Sequence, residues 1–122
     1  MSEKKSIIKD KSFAFAIRIV KLCQYLSETK KEYVLSKQLI RSGTAIGALT
    51  REAQNAESKK DFIHKLAIAQ KECDETIYWL ELLKETNYIN EQEFESMNHN
   101  DVELLKMLRS AILTTKKTIQ TT

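Results

Sequence analysis

Over Leu35, Leu39, Ser42, Ile46, Leu49, Ala53 and Ala56, and again over Phe62, Leu66, Ala69, Cys73, Thr76, Leu80 and Leu83, small or apolar residues recur at alternating steps of four and three. A 3.5-residue period held this long is the seam of a helix packed on others at a shallow angle. Little in the chain resists it: there is no proline and there are only two glycines in 122 residues. Long helices follow and β-rich folds are disfavoured. The length suits one domain, 1–122, large enough to bury a core.

The pattern predicts four helices, at roughly 10–27, 32–56, 58–85 and 90–115. Asp10 or Ser12 can cap the first, and Ser58 with Asp61 and Asn90 with Glu93 read as capping boxes. Residues 1–9 and the tail after Lys116 are expected to fray, and Asn98-His-Asn-Asp101 to break or bend the last helix. Short connections make this an all-α, antiparallel up-down-up-down four-helix bundle. The first helix carries two apolar stripes, Phe13, Ala16, Ile17, Val20 and Cys23 on one side and Phe15, Ile19, Leu22 and Leu26 on the other. A bundle helix needs one. Two imply burial by the core and either by a neighbouring subunit or by a wide core. Phe15, Ile19, Leu22 and Leu26 form the candidate oligomer interface.

The stretch Arg41–Ser58 concentrates the unusual residues. Gly43 and Gly47 sit one turn apart inside a helix, where each costs about 1 kcal/mol relative to alanine. Their spacing suits close approach by another helix. Arg41 and Glu52, with Gln38 beside them, lie eleven residues apart on one side, about 16 Å along the axis. They cannot pair with each other, so they are candidates for a structural polar network or an assembly contact.

Net charge is +3, mildly basic. Antiparallel topology gathers Lys4, Lys5, Lys9 and Lys11, the connection with Lys59 and Lys60, and the C-terminal Lys116 and Lys117 at one end. Glu81, Glu85, Glu91, Glu93 and Glu95 gather at the other. Those eight lysines are the candidate nucleic-acid-binding residues, because phosphate backbones respond to clustered positive charge. Dipole-matched helix ends on an ordinary solvated surface are the plain alternative.

No catalytic, cofactor or metal site emerges. A di-iron bundle needs two Glu-x-x-His motifs, and the chain offers one Asp61-x-x-His64 and a distant His99. Cys23 and Cys73 make no Cys-x-x-Cys and read as reduced core thiols of a cytoplasmic protein. Gly43-x-x-x-Gly47 is no phosphate loop, since no Gly-Lys-Ser/Thr follows. No apolar run spans a membrane, and the lysine-rich start has no signal-peptide core. The expectation is therefore a non-enzyme without cofactor or small-molecule substrate.

The stretch RSGTAIGALTREAQNAESKKDFIHKLAIAQKECDETIYWLELL resembles the four-helix-bundle family related to proteins encoded in intervening sequences of bacterial 23S rRNA genes. The resemblance spans about Phe13 to Lys117. Its most specific part is Gln38-x-x-Arg41-Ser42, Ile46, Glu52, Ser58-x-x-x-Phe62 and Leu66-x-Ile68-Ala69. Many relatives carry Asn-Ile just before the Glu52 position; this chain has Leu49-Thr50-Arg51, so no role of that Asn carries over. The resemblance implies a compact bundle assembling as a ring-like homopentamer. A similar accessory protein of diversity-generating retroelements forms a basic barrel that assists a reverse transcriptase. Two functions are carried forward: a homo-oligomeric accessory protein that binds RNA or DNA weakly through its basic end, and a protein-interaction scaffold without nucleic-acid binding.

Overall fold

The computed structural model describes residues 3–121, with side chains over 7–120. They form α1 (Glu3–Glu28), α2 (Leu35–Gln54), α3 (Lys59–Glu85) and α4 (Glu91–Thr121). Lys11 reaches Glu103, and Arg18 reaches Ser96 and Asn100, so α4 runs against α1. Ser12 lies against Gly47 and Ile19 against Gly43. Arg41 meets Glu72 and Glu52 meets Lys65; Lys84 meets Glu91 and the Phe94 ring. Every neighbouring pair is antiparallel, which is the up-down-up-down order. Each helix packs on its neighbours in the chain, and α1 meets α4 along the narrowest seam.

The seven α3 residues predicted for the core are the seven that are buried, Phe62 through Leu83. On α1 the assignment reverses. Phe15, Ile19 and Leu26 are fully buried inside one chain and Leu22 is half-buried, so this stripe is core and not a free interface. Phe13 and Ile17 face outward instead. Both stripes are apolar, and the glycines of α2 decide between them, because only the Ile19 side can approach Gly43.

Three boundary expectations also change. α1 begins at Glu3, and Ser12 lies buried inside it, its hydroxyl donating to the Lys9 carbonyl at 3.1 Å. α4 passes through Asn98–Asp101 unbroken, because Asp101 occupies a core position in the stripe Phe94, Met97, Asp101, Leu104, Leu108, Ile112. It also continues past Lys116 to Thr121.

The connections are rigid for identifiable reasons. Ser58 accepts from the Asp61 N–H at 3.0 Å. Asn90 and Glu93 exchange reciprocal bonds of 2.8 and 2.9 Å, the predicted box. α3 ends in a Schellman turn: Asn87 takes φ 68°, and the Tyr88 N–H donates to the Leu83 carbonyl at 2.9 Å. At the α1–α2 turn a buried Glu32 does the capping. Its carboxylate accepts from the N–H groups of Val34, Leu35 and Ser36 at 2.7 to 3.0 Å. An anion here also suits the positive end of α2.

At Gly43 two energies oppose each other. Alanine would add about 1 kcal/mol of helix propensity. Its Cβ, however, would sit 2.7–2.9 Å from three carbons of the fully buried Ile19, a β-branched side chain with no free rotamer to retreat into. Overpacking of this kind costs about 1–3 kcal/mol, so Gly43→Ala should lower the melting temperature. Gly47→Ala, which meets only the Ser12 carbonyl at 3.3 Å, should be milder. Glu32→Ala should cost about 2–3 kcal/mol in denaturant unfolding, because three orphan N–H groups lose a charged acceptor.

Candidate functional site

The polar residues singled out on α2 form a strip across the α2–α3 seam. The Arg41 guanidinium donates to Gln38 Oε1 and to Glu72 Oε1, each at 3.4 Å, and pairs with Glu75. The Trp79 indole N–H donates to the same Glu75 carboxylate at 3.0 Å. Farther along, Lys65 pairs with Glu52 at 3.1 Å. Arg41 and Glu52 thus find partners on α3 of their own chain. These are solvent-exposed pairs, screened by water and weak; they bear on how the two helices slide more than on holding them together.

Both cysteines are free and buried. Burial, and then the nearby Glu32 charge, pushes the Cys23 thiol up to about 11; its S–H donates to the Ser36 carbonyl at 3.3 Å. Burial raises the Cys73 thiol still further, helped by Asp101, Asp74 and Glu72. Neither is a thiolate at neutral pH, so neither is an activated nucleophile. His64 and His99 are exposed. Among the described residues no group of three or more His, Cys, Asp or Glu side chains could hold a metal ion, and no helix is long and apolar enough to cross a membrane.

Asp101 escaped sequence reasoning altogether. It is completely buried, and neither carboxylate oxygen has a hydrogen-bond partner among the described residues. Burial, reinforced by Asp74, pushes its carboxyl up to about 8. The signal was present in its step of four from Met97 and three to Leu104. An acid at that step reads as a break in a stripe when it is a member of it.

The helix registers gather the candidate cations. Cys73 lies level with Asp101 and Lys84 with Glu91–Phe94. Continued along the two helices, this register puts Lys116 and Lys117 level with Lys59 and Lys60. All four are exposed, and none has an ion pair among the described residues. Lys9 is half-exposed. Lys11 is not free: it holds Glu103 at 3.0 Å and so belongs to the α1–α4 seam. Lys4 and Lys5 lie outside the residues whose side chains are described. Two further cations join the group. Lys106, Arg109, Leu113 and Lys117 line a shallow groove of about 350 Å³ along one face of α4. Their 3-4-4 spacing was legible but indistinguishable from a dipole-matched helix end.

Apart from Leu113 in that groove, two pairs of exposed apolar residues stand out elsewhere. Phe13 and Ile17 are 52% and 42% exposed on α1, with the Arg51 guanidinium of α2 stacked 4.9 Å from the Phe13 ring. On the turn that Glu32 braces, Tyr33 and Val34 are 60% and 73% exposed.

Four antiparallel helices packed around one apolar core define an all-α four-helix-bundle protein. The chain belongs to the 23S rRNA-intervening sequence protein family, whose model matches residues 4–110. It is similar, at 53% identity, to a protein with unknown function from the S23 ribosomal protein family of Bacteroides thetaiotaomicron VPI-5482. That crystal structure superposes with a TM-score of 0.88 over 89% of this chain and 97% of the other. A search of curated proteins returns no match.

Proposed function

We propose that the protein is a non-enzymatic, homo-oligomeric accessory protein of the cytoplasm that binds RNA or DNA weakly through its basic end. The observation that carries this reading is the level set of cations without an ion pair among the described residues, Lys59, Lys60, Lys116 and Lys117, continued along α4 by Lys106 and Arg109. Cations without carboxylate partners are free to displace counterions from a phosphate backbone. The contacts are to phosphate and not to base edges, so the binding is weak and indifferent to sequence. Assembly into a ring, of five subunits by family resemblance, would repeat the patch and raise its avidity.

The outward stripe of Phe13 and Ile17 supports self-association. The core leaves these two residues of their stripe uncovered while Cys23 in the same stripe is buried, and their apolar area is of the kind subunit interfaces bury. A scaffold without nucleic-acid binding is the second reading. What favours it is the braced turn that holds Tyr33 and Val34 in solvent, since a preorganised aromatic–aliphatic pair is a low-entropy anchor for a protein partner.

Two measurements separate these readings. The dissociation constant for a single-stranded RNA should weaken steeply with salt, and Lys59→Glu with Lys60→Glu should weaken it at least about tenfold at low salt. A salt-independent affinity, or one unchanged in the double variant, leaves the scaffold. By light scattering, Phe13→Asp should lower the solution mass with the melting temperature kept, whereas Phe15→Asp should unfold the chain. An unchanged mass for Phe13→Asp removes the assembly surface from α1.

A further inference from the structure

The remaining unexplained group is Asp101. A carboxyl in the central stripe of α4, sealed from solvent and without a donor to either oxygen among the described residues, is tolerated only as the neutral acid. Its surroundings give an ionised form nothing to bind. From α3 its electrostatic neighbours are the Cys73 thiol and the exposed Asp74 carboxylate, the second of which repels a negative charge. The buried α2 residues, Ser36, Leu39, Ser42, Gly43, Ile46, Thr50 and Ala53, include no titratable group. From α1 the two cations that reach α4 are committed to other positions: Arg18 to the Ser96 carbonyl and hydroxyl and to Asn100, Lys11 to Glu103. On α4 itself, His99 is exposed.

The same helix has a weak side. α4 packs broadly on α3 but meets α1 only along a narrow seam, closed by those Arg18 and Lys11 contacts. Beside it lies an open groove of about 440 Å³ lined by Arg18, Leu22, Ser96 and Met97. A charge created at Asp101 must reach water, and this seam is the least extensive helix contact in the bundle.

We propose that Asp101 is a proton-binding latch for α4: with the carboxyl protonated, α4 seats against α1, and ionisation lifts α4 along the α1 seam while α2 and α3 stay packed. The sign follows from linkage. The folded carboxyl titrates near 8 and the unfolded one near the ordinary aspartate value of about 4, so the native state binds the proton more tightly. Stability of the α4 seating is therefore full below about pH 4 and falls as pH rises towards about 8.

Hydrogen exchange read by mass spectrometry, corrected for intrinsic rates, tests this at about pH 6.5 and about pH 9. One pH unit above the titration, ionisation outweighs protonation about tenfold, and α4 peptides should lose at least that factor in protection relative to α2 peptides. Asp101→Asn, which keeps the shape and cannot ionise, should show no such loss. The carbon-13 carboxyl resonance of Asp101 in the unaltered protein supplies a readout that needs no variant, and it should titrate near 8. Four results overturn the latch. They are equal α4 protection at both pH values, a loss shared equally by all four helices, a loss that persists in Asp101→Asn, and a carboxyl that titrates in the ordinary aspartate range.

Discussion

The bundle turns on the contact between Gly43 and Ile19. Bringing α1 so close to α2 that a single methyl group would collide selects which face of α1 points inward. Once Ile19 is seated, Phe15 and Leu26 follow into the core and Phe13 and Ile17 are turned to solvent. Two glycines weaken α2 by about 2 kcal/mol of propensity, and the dispersion contacts of a buried isoleucine packed on bare backbone offset it. The outer surface of the molecule is thus set by a contact inside it.

Much of the fold could be read from residue order alone, and the exceptions share a cause. α3 was legible to the residue because its stripe is apolar on one line and mixed elsewhere. α1 was not, because periodicity reports that a face is apolar without saying which of two apolar faces is covered. The α2 stripe was partly displaced: Ser36 and Thr50 are buried beside Leu35 and Leu49, which are only half-buried. Small hydroxyl residues can be buried in helices by returning their hydroxyl to a carbonyl one turn back, as Thr50 does to Ile46 at 2.8 Å. The Ser58 and Asn90 caps follow local rules and were visible. The Glu32 cap reaches forward from outside the helix, with a residue type that N-cap preference does not place there.

The candidate surface was only half legible for a related reason. Lysines can be counted in a sequence, but whether a lysine is free depends on what lies across the seam. Lys11 proved to be spoken for by Glu103, ninety-two residues away in sequence. Lys106 and Arg109 proved to line a groove with Lys117. Asp101 shows the same limit in the interior. Its place in the stripe was present in the spacing, while its isolation is a property of three helices together. The buried polar set, which also includes Ser42 and Thr76 bonded across α2 and α3 at 2.9 Å, gives this core a pattern that an all-leucine core would lack. Such groups favour one register over its neighbours, since slipping α2 against α3 would leave hydroxyls unpaired.

Trp79 is the single tryptophan of the chain, and its indole N–H is tied to Glu75, which in turn holds Arg41 of α2. Its emission is therefore an optical reporter on one seam out of four. The Glu75 carboxylate on the indole and the Tyr78 ring edge-on at 4.9 Å both lie on α3, and Arg41 ties that group to α2. A conformational change confined to the first and last helices would leave these contacts of the indole in place, and a bundle that looks closed by tryptophan emission can have its far side open.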